Sequence, residues 1–265
     1  MTRILCLPTL CADVFEQSGE ILPGGEALNF ACIASRYDHV ALSLLGAIGD
    51  DAAGRRITEV IDAHGVNRDH VHVVTDGPTA THLISIDEHG DRYFKPGAWN
   101  GGVFERYRLT EEDAAALHAH DVVFVTYTSP NFKEVIDVRK TGSFKLAVDF
   151  DVLRDFDNME KFLPWVDFFM ISGDDNVLPV LKAWSEKYDG LFNATLAERG
   201  SVTYRRGQEY RVQAVPVEKV IDTTGCGDSY HAGFVCSYVK DGDIIAAMNE
   251  GSKVASETLS HLGGF

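Results

Sequence analysis

The chain has 265 residues, 45% of them hydrophobic and 24% charged, enough for one full core and too few for two large domains. Its 40 acidic residues against 24 basic ones give a formal net charge of -16, which disfavours nucleic acid and anionic membrane and leaves small molecules as the expected partners. Five cysteines with no Cys-x-x-Cys pair fit a reduced, cytoplasmic protein, and no apolar stretch reaches membrane-spanning length or reads as an export signal.

Taken in chain order, residues 3–8 predict a first buried strand, and residues 10–22, which include Asp13, a short irregular or hairpin segment. Pro23-Gly24-Gly25-Glu26-Ala27-Leu28-Asn29 then leads into a helical pattern reaching about Tyr37. Paired glycines let a ligand approach the backbone, and Asn29, one turn in, offers donor and acceptor to a polyol. Pro-Gly-Gly is equally an ordinary turn. Residues 41–45 predict a strand, followed by Gly46-Ala47-Ile48-Gly49-Asp50-Asp51-Ala52-Ala53-Gly54 and another helix, for which Asp50 or Asp51 is a natural N-cap. Alternation over residues 79–86, turn signals at 87–90 and the run 91–94 predict a hairpin. Arg92 within it is either a ligand-reaching or a solvated arginine.

From Leu109 the pattern is regular, with helices near 110–118, 131–139, 159–163 and 176–188 and strands at 122–126, 145–150, 168–172 and 191–195. Such alternation implies right-handed crossovers and a mainly parallel sheet with helices on both faces, and ligands on such sheets lie beyond the carboxyl ends of the strands. Three of those ends carry polar groups: Asp149, Asp151 and Arg154; Ser172-Gly173-Asp174-Asp175; and Thr195-Leu196-Ala197-Glu198-Arg199-Gly200. Caps at Asp174 or Asp175 are an equal alternative reading of the second. After a hairpin at 202–205 and 209–212 comes Asp222-Thr223-Thr224-Gly225-Cys226-Gly227-Asp228-Ser229-Tyr230-His231-Ala232-Gly233-Phe234, an extended entry, a glycine turn and a helix from about Ser229. The amides of Gly225, Cys226 and Gly227 then face a phosphoryl group, and Asp228 stands where a carboxylate takes a proton from a hydroxyl. Asp228 or Ser229 as a simple N-cap is the alternative. A last helix near 243–260 carries Ser252. There is no Gly-x-x-x-x-Gly-Lys-Ser/Thr, which excludes a P-loop ATPase, and no Gly-x-Gly-x-x-Gly after the first strand, which excludes a nicotinamide-dependent oxidoreductase.

The strings at 24–54 and 222–234 resemble, in order, the two signatures of the PfkB or ribokinase family of sugar kinases: Gly-Gly-x-x-x-Asn with Gly-x-x-Gly-x-Asp-x-x-Gly, and Asp-Thr-x-Gly-Ala-Gly-Asp with Cys226 in place of Ala. The resemblance implies an α/β, ribokinase-like three-layer sandwich, one kinase domain over residues 1–265, and a small β lid formed by about 10–22 and 79–95. It implies ATP with Mg2+ as phosphoryl donor, Asp228 as base and Gly225, Cys226 and Gly227 as anion hole. The sugar contacts would be Asp13, Gly24, Gly25, Asn29 and Arg92. Nucleotide contacts would be Thr195, Gly200 and Ser252, and Asp175 would help organise magnesium through water. Asp151, Ser172 and Ala197 depart from the family pattern. The chain ends at Phe265, where longer relatives complete a monovalent-cation site, so potassium dependence stays open. Details around Asp13, residues 24–29 and residues 69–72 resemble the fructoselysine 6-kinase branch, implying a fructosamine acceptor phosphorylated at its 6-hydroxyl. A fructokinase or ribokinase is the alternative within the family, and a non-catalytic sugar or nucleotide sensor the alternative outside it. The lid is too small to bury both faces, so a homodimer joined through it is expected.

Overall fold

The computed structural model describes residues 1–16, 18–86 and 92–265, with 86 and 92–96 as backbone only. The strands are β1 (Thr2–Leu7), β2 (Cys11–Phe15), β3 (Ile21–Gly24), β4 (Val40–Gly49), β5 (Asn67–Val74), β6 (Ala80–Ile86), β7 (Arg92–Trp99), β8 (Val122–Thr126), β9 (Lys145–Asp149), β10 (Phe168–Ser172), β11 (Leu191–Thr195), β12 (Ser201–Arg205) and β13 (Gln208–Val212). The helices are α1 (Glu26–Ala34), α2 (Ala52–Ala63), α3 (Glu111–Ala119), α4 (Phe132–Arg139), α5 (Phe156–Met159), α6 (Leu178–Lys187), α7 (Cys226–Asp241) and α8 (Ile244–Thr258).

Nine strands form the main sheet in the order β13-β12-β11-β10-β9-β8-β1-β4-β5, and β3-β2-β6-β7 form a separate four-stranded lid. Pairing is parallel from β5 to β11 and antiparallel for β11, β12 and β13. The central strands are apolar on both faces because both are covered by helices. Ile4, Phe124 and Met170 point to one side, into a core with Phe30 of α1, Phe234 of α7 and Met248 of α8. Their neighbours Leu5, Val125 and Ile171 point to the other, into a core with Leu117 of α3, Val135 of α4 and Leu181 of α6. Full burial of side chains this size contributes roughly 1.5–3 kcal/mol each. The three-layer α/β sandwich read from the sequence is therefore the observed fold.

Residues 46–54 join the main sheet to the lid. A Cβ on Gly46 would lie 2.8 Å from Pro8 O, on Gly49 2.5 Å from Gly77 O and on Gly54 2.1 Å from Gly49 O, so each glycine marks a backbone-to-backbone contact. Asp51 is the N-cap of α2, accepting from Gly54 N at 2.8 Å. It also accepts from Thr79 N at 2.8 Å and Thr79 Oγ1 at 2.6 Å, at the root of β6.

The elements differ from expectation most at four places, and besides these β4 runs on to Gly49 and the helix expected near 159–163 is a 3-10 helix, Glu160–Trp165. Strand β5 was not read, because Asn67-Arg68-Asp69-His70 is polar and the strand is an edge with little buried surface. Helix α1 ends at Ala34 rather than near Tyr37. Helix α7 starts at Cys226 rather than Ser229, since Gly225, at φ 70°, is its N-cap. The lid runs on to Trp99, and the turn expected at 87–90 lies outside the described residues.

Candidate active site

The parallel register brings Thr126, Asp149, Met170, Ser172 and Thr195 to one edge of the sheet, the carboxyl end of its strands. The openings of α1 and α7 meet at this edge. Gly25 begins α1 at φ 103°, and a Cβ there would come within 2.5 Å of Thr9 O, so only glycine fits. One turn later Asn29, 5% exposed, donates from Nδ2 to Asp228 Oδ2 at 2.8 Å. Asn29 Oδ1 has no protein partner among the described residues and stands 4.0 Å from where a Gly24 Cβ would be. The Gly264 backbone packs against the same amide, a Cβ there lying 2.8 Å from Asn29 Oδ1.

Asp228 is the third residue of α7 and is 8% exposed, so it is a buried carboxyl group rather than a cap. The first amide of α7 with an intrahelical acceptor is that of Ser229, to Gly225 O at 2.8 Å. Cys226 N donates to Thr223 O at 3.2 Å, which occupies one of the amides expected to face an anion. The amides of Gly227 and Asp228 follow in the same first turn, at the positive end of the helix dipole. A Cβ on Gly227 would meet no protein atom within 4 Å, so the space in front of it is open.

Acidic groups crowd the site. Burial, then Glu26 and Asp149, push the Asp228 carboxyl up to about 8, against the opposing pull of Asn29 and His231. Burial likewise raises Glu26, the first residue of α1, with Asp149 and Asp151 adding to it. The His231 ring, 1% exposed, lies with Nδ1 3.3 Å from Asp149 Oδ2. A cation arriving among these acidic groups would return Asp228 and Glu26 toward their ionised forms.

Beside Asp228 opens a cavity of about 950 Å3 between β10, β11, α7 and α8, with Thr195, Gly200, Cys226, Gly227 and Ser252 in its wall. Gly200, at φ 86°, has no room for a side chain, since a Cβ would lie 2.0 Å from Val212 O. Ala197 sits at φ 52°, in the left-handed region where glycine is at ease. Burial, then Asp228, raises the Cys226 thiol, which keeps it protonated and unreactive. Asp175 is paired with Arg199 at 2.6 Å, and the neighbouring Asp174, with Arg154, reaches the cavity wall instead. Carboxylate oxygens at that mouth are the hard donors a divalent ion on nucleotide phosphates uses.

In the lid, Asp13 of β2 is opposite His82 of β6, and the His82 ring packs on Trp99 at 4.6 Å between centroids. Arg92 is placed by backbone only, opposite Ile86, and its side chain lies outside the described residues.

The pfkB family carbohydrate kinase pattern matches residues 13–264. The chain belongs to the PfkB family of carbohydrate kinases. Fructoselysine 6-kinase of Shigella flexneri is 30% identical over 258 residues, covering 96% of both chains. A fructosamine kinase of Bacillus subtilis is 27% identical, covering 99% of this chain and 93% of its own. The structure of Arabidopsis thaliana ribokinase complexed with ribose and ATP superposes with a TM-score of 0.81 at 18% identity, over 99% of this chain and 93% of that one. As a PfkB kinase the protein is an ATP-dependent phosphotransferase.

Of the residues singled out in the sequence, the PfkB fold gathers Gly24, Gly25, Asn29 and residues 225–228 at one point and Thr195, Gly200 and Ser252 around the adjoining cavity. Asp175 stands apart on its ion pair. Two members of the buried cluster, Glu26 and His231, were not singled out in the sequence. Glu26 lay inside the quoted Gly-Gly-x-x-x-Asn string and His231 inside the quoted helix, but only the fold reveals that Asp149 faces both.

Proposed function

We propose that the protein transfers the γ-phosphoryl group of ATP to the 6-hydroxyl of a fructosamine such as fructoselysine. The observation that carries this reading is Asp228, a buried carboxyl group bonded to Asn29 at the start of a glycine-capped helix whose neighbouring residue Gly227 lines the cavity. Asn29, Gly24, Gly25, Asp13 and Arg92 bind the acceptor. Asp228 takes the proton as the hydroxyl oxygen attacks phosphorus, and ADP leaves. The amides in the first turn of α7 stabilise charge on the transferred group, with Gly225 setting the turn. Thr195, Gly200 and Ser252 hold the nucleotide. Asp174 or, through water, Asp175 would hold magnesium, which supplies charge neutralisation on the phosphates when bound.

Two observations support a fructosamine over a free sugar. The relatives reported above carry fructoselysine and fructosamine kinase names over nearly full length. The secondary amine of such an adduct is cationic near neutral pH, and the site is lined by Glu26, Asp149 and Asp228 with Asp13 in the lid. Acceptor-dependent ADP release across fructoselysine, fructose and ribose tests the reading. A higher kcat/KM for either free sugar turns it to a fructokinase or ribokinase, and no turnover with any acceptor turns it to a sensor.

We also infer a homodimer joined through the lid, whose edge strands β3 and β7 are unpaired among the described residues. Sedimentation at micromolar concentration decides it, a lone monomer counting against. Five free cysteines support a reducing, cytoplasmic setting, and no helix among the described residues is long and apolar enough to cross a membrane.

A further inference from the structure

His231 follows Asp228 by three positions on α7, so the two side chains share a helix face. The Nδ1 atom of this fully enclosed ring is 3.3 Å from Asp149 Oδ2, and Asp149, Asp228 and His231 each present an atom within 4.8 Å of the others. The Nδ1–Oδ2 contact is at ion-pair distance, and Asp149 is the strongest favourable influence on the charged ring.

The groups around it are almost all acidic. Asp149 and Asp151 face it from the end of β9 and the turn beyond, Asp228 faces it from its own helix, and Glu26 reaches Asp228 from α1. Clustered carboxylates cannot all ionise in a buried site unless a cation lies among them. Asn29 gives Asp228 a neutral donor, which orients one oxygen without supplying a full charge.

We propose that His231 is a positioning residue for phosphoryl transfer: a buried imidazolium, clamped by Asp149, that loosens the hold of Asp228 on its proton and so favours the ionised acceptor. This rests on the assignment of Asp228 as the base. Burial pulls the imidazole down, but Asp149, followed by Asp228 and Asp151, outweighs it, and the net shift is upward. With the imidazolium gone, Asp228 holds its proton to higher pH, and the acid limb of the rate profile moves with it.

Two measurements test the proposal. In 15N NMR of the wild-type protein, one histidine should remain doubly protonated above the ordinary imidazole range of about 6.5, and that signal should be missing in His231→Gln. In acceptor-dependent ADP release, His231→Gln should shift the acid limb of kcat/KM upward by about one pH unit, about tenfold in rate on that limb, while the plateau at high pH and the KM for ATP stay within about twofold. A ring that is neutral in the wild type at pH 7 overturns the proposal, and so does a loss of the same size at every pH, which a purely structural role would give. One equivalent of a divalent ion retained by the wild type and lost in the variant also overturns it, because the ring would then be a ligand. Should Asp228→Asn keep its turnover, the base assignment fails, whereas the NMR signal still reports the His231–Asp149 pair by itself.

Discussion

Asn29 and Asp228 are 199 positions apart in the sequence and 2.8 Å apart in the fold, Nδ2 donating to Oδ2. The bond ties the first turn of α1 to the first turn of α7, so the side that offers glycines and an amide is registered against the side that offers a carboxylate. Asp228→Asn keeps the size and removes the proton acceptor. Its kcat should fall about 100- to 10,000-fold, with acceptor and ATP dissociation constants within a few fold by calorimetry. Turnover above about a tenth of wild type would remove Asp228 from the base role.

The same substitution has a signature in stability. The folded carboxyl of Asp228 titrates above its unfolded value, through burial, Glu26 and Asp149. Its contribution is therefore fully present below the ordinary carboxylate range and is lost as pH rises through the raised one. Asparagine does not titrate, so the ligand-free variant should gain on the wild type with rising pH. Thermal unfolding should give a Tm difference that grows by at least about 2 °C between about pH 5 and pH 9. A difference that is flat or shrinks would contradict the raised carboxyl.

Gly227 separates folding from binding. Because a methyl group there meets no protein atom within 4 Å, Gly227→Ala should unfold within about 1 kcal/mol of the wild type, yet lose affinity for ATP or kcat by about tenfold or more as the methyl enters the space before the helix. Unchanged kinetics would show that no phosphoryl group comes close at that amide.

Ala197 offers the opposite case, a strained residue beside the nucleotide cavity. Left-handed backbone costs a non-glycine residue about 1–2 kcal/mol, and glycine loses about 0.4–1 kcal/mol more chain entropy on folding. Ala197→Gly should therefore stabilise the protein by roughly 0.5–1 kcal/mol in urea unfolding. Destabilisation would mean that the methyl group makes a contact worth more than the strain.

The sequence announced its sheet because buried parallel strands are continuous apolar runs, and its helix openings because glycines with fixed backbone roles cannot be replaced. Gly25, Gly54 and Gly200 are each forced by backbone oxygens within 2.5 Å of a would-be Cβ. What stayed hidden was whatever the crossovers assemble. Asp149 ends one strand and His231 sits one turn into α7, and nothing in either local string says they will stand 3.3 Å apart. Asp175 shows the converse: its position in a strand-end string marked it for a metal, but Arg199, from the next strand-end turn, reaches it first. Strand β5 was hidden for a third reason, since an edge strand can be polar and owe its place to backbone pairing with β4.

Asp51 grips Thr79 with both carboxylate oxygens while capping α2 with one of them. The other strand of the lid is moored nearby, where Asn100 bonds Thr81 through its amide at 2.7 Å and its carbonyl at 3.0 Å. Side-chain bonds therefore fasten the lid where β6 enters it and β7 leaves it. Farther out the pairing of β6 with β7 slips register between His82 and Ile84. The irregular step in the lid thus coincides with the stack of His82 on Trp99, one strand position beyond the Asn100–Thr81 bonds.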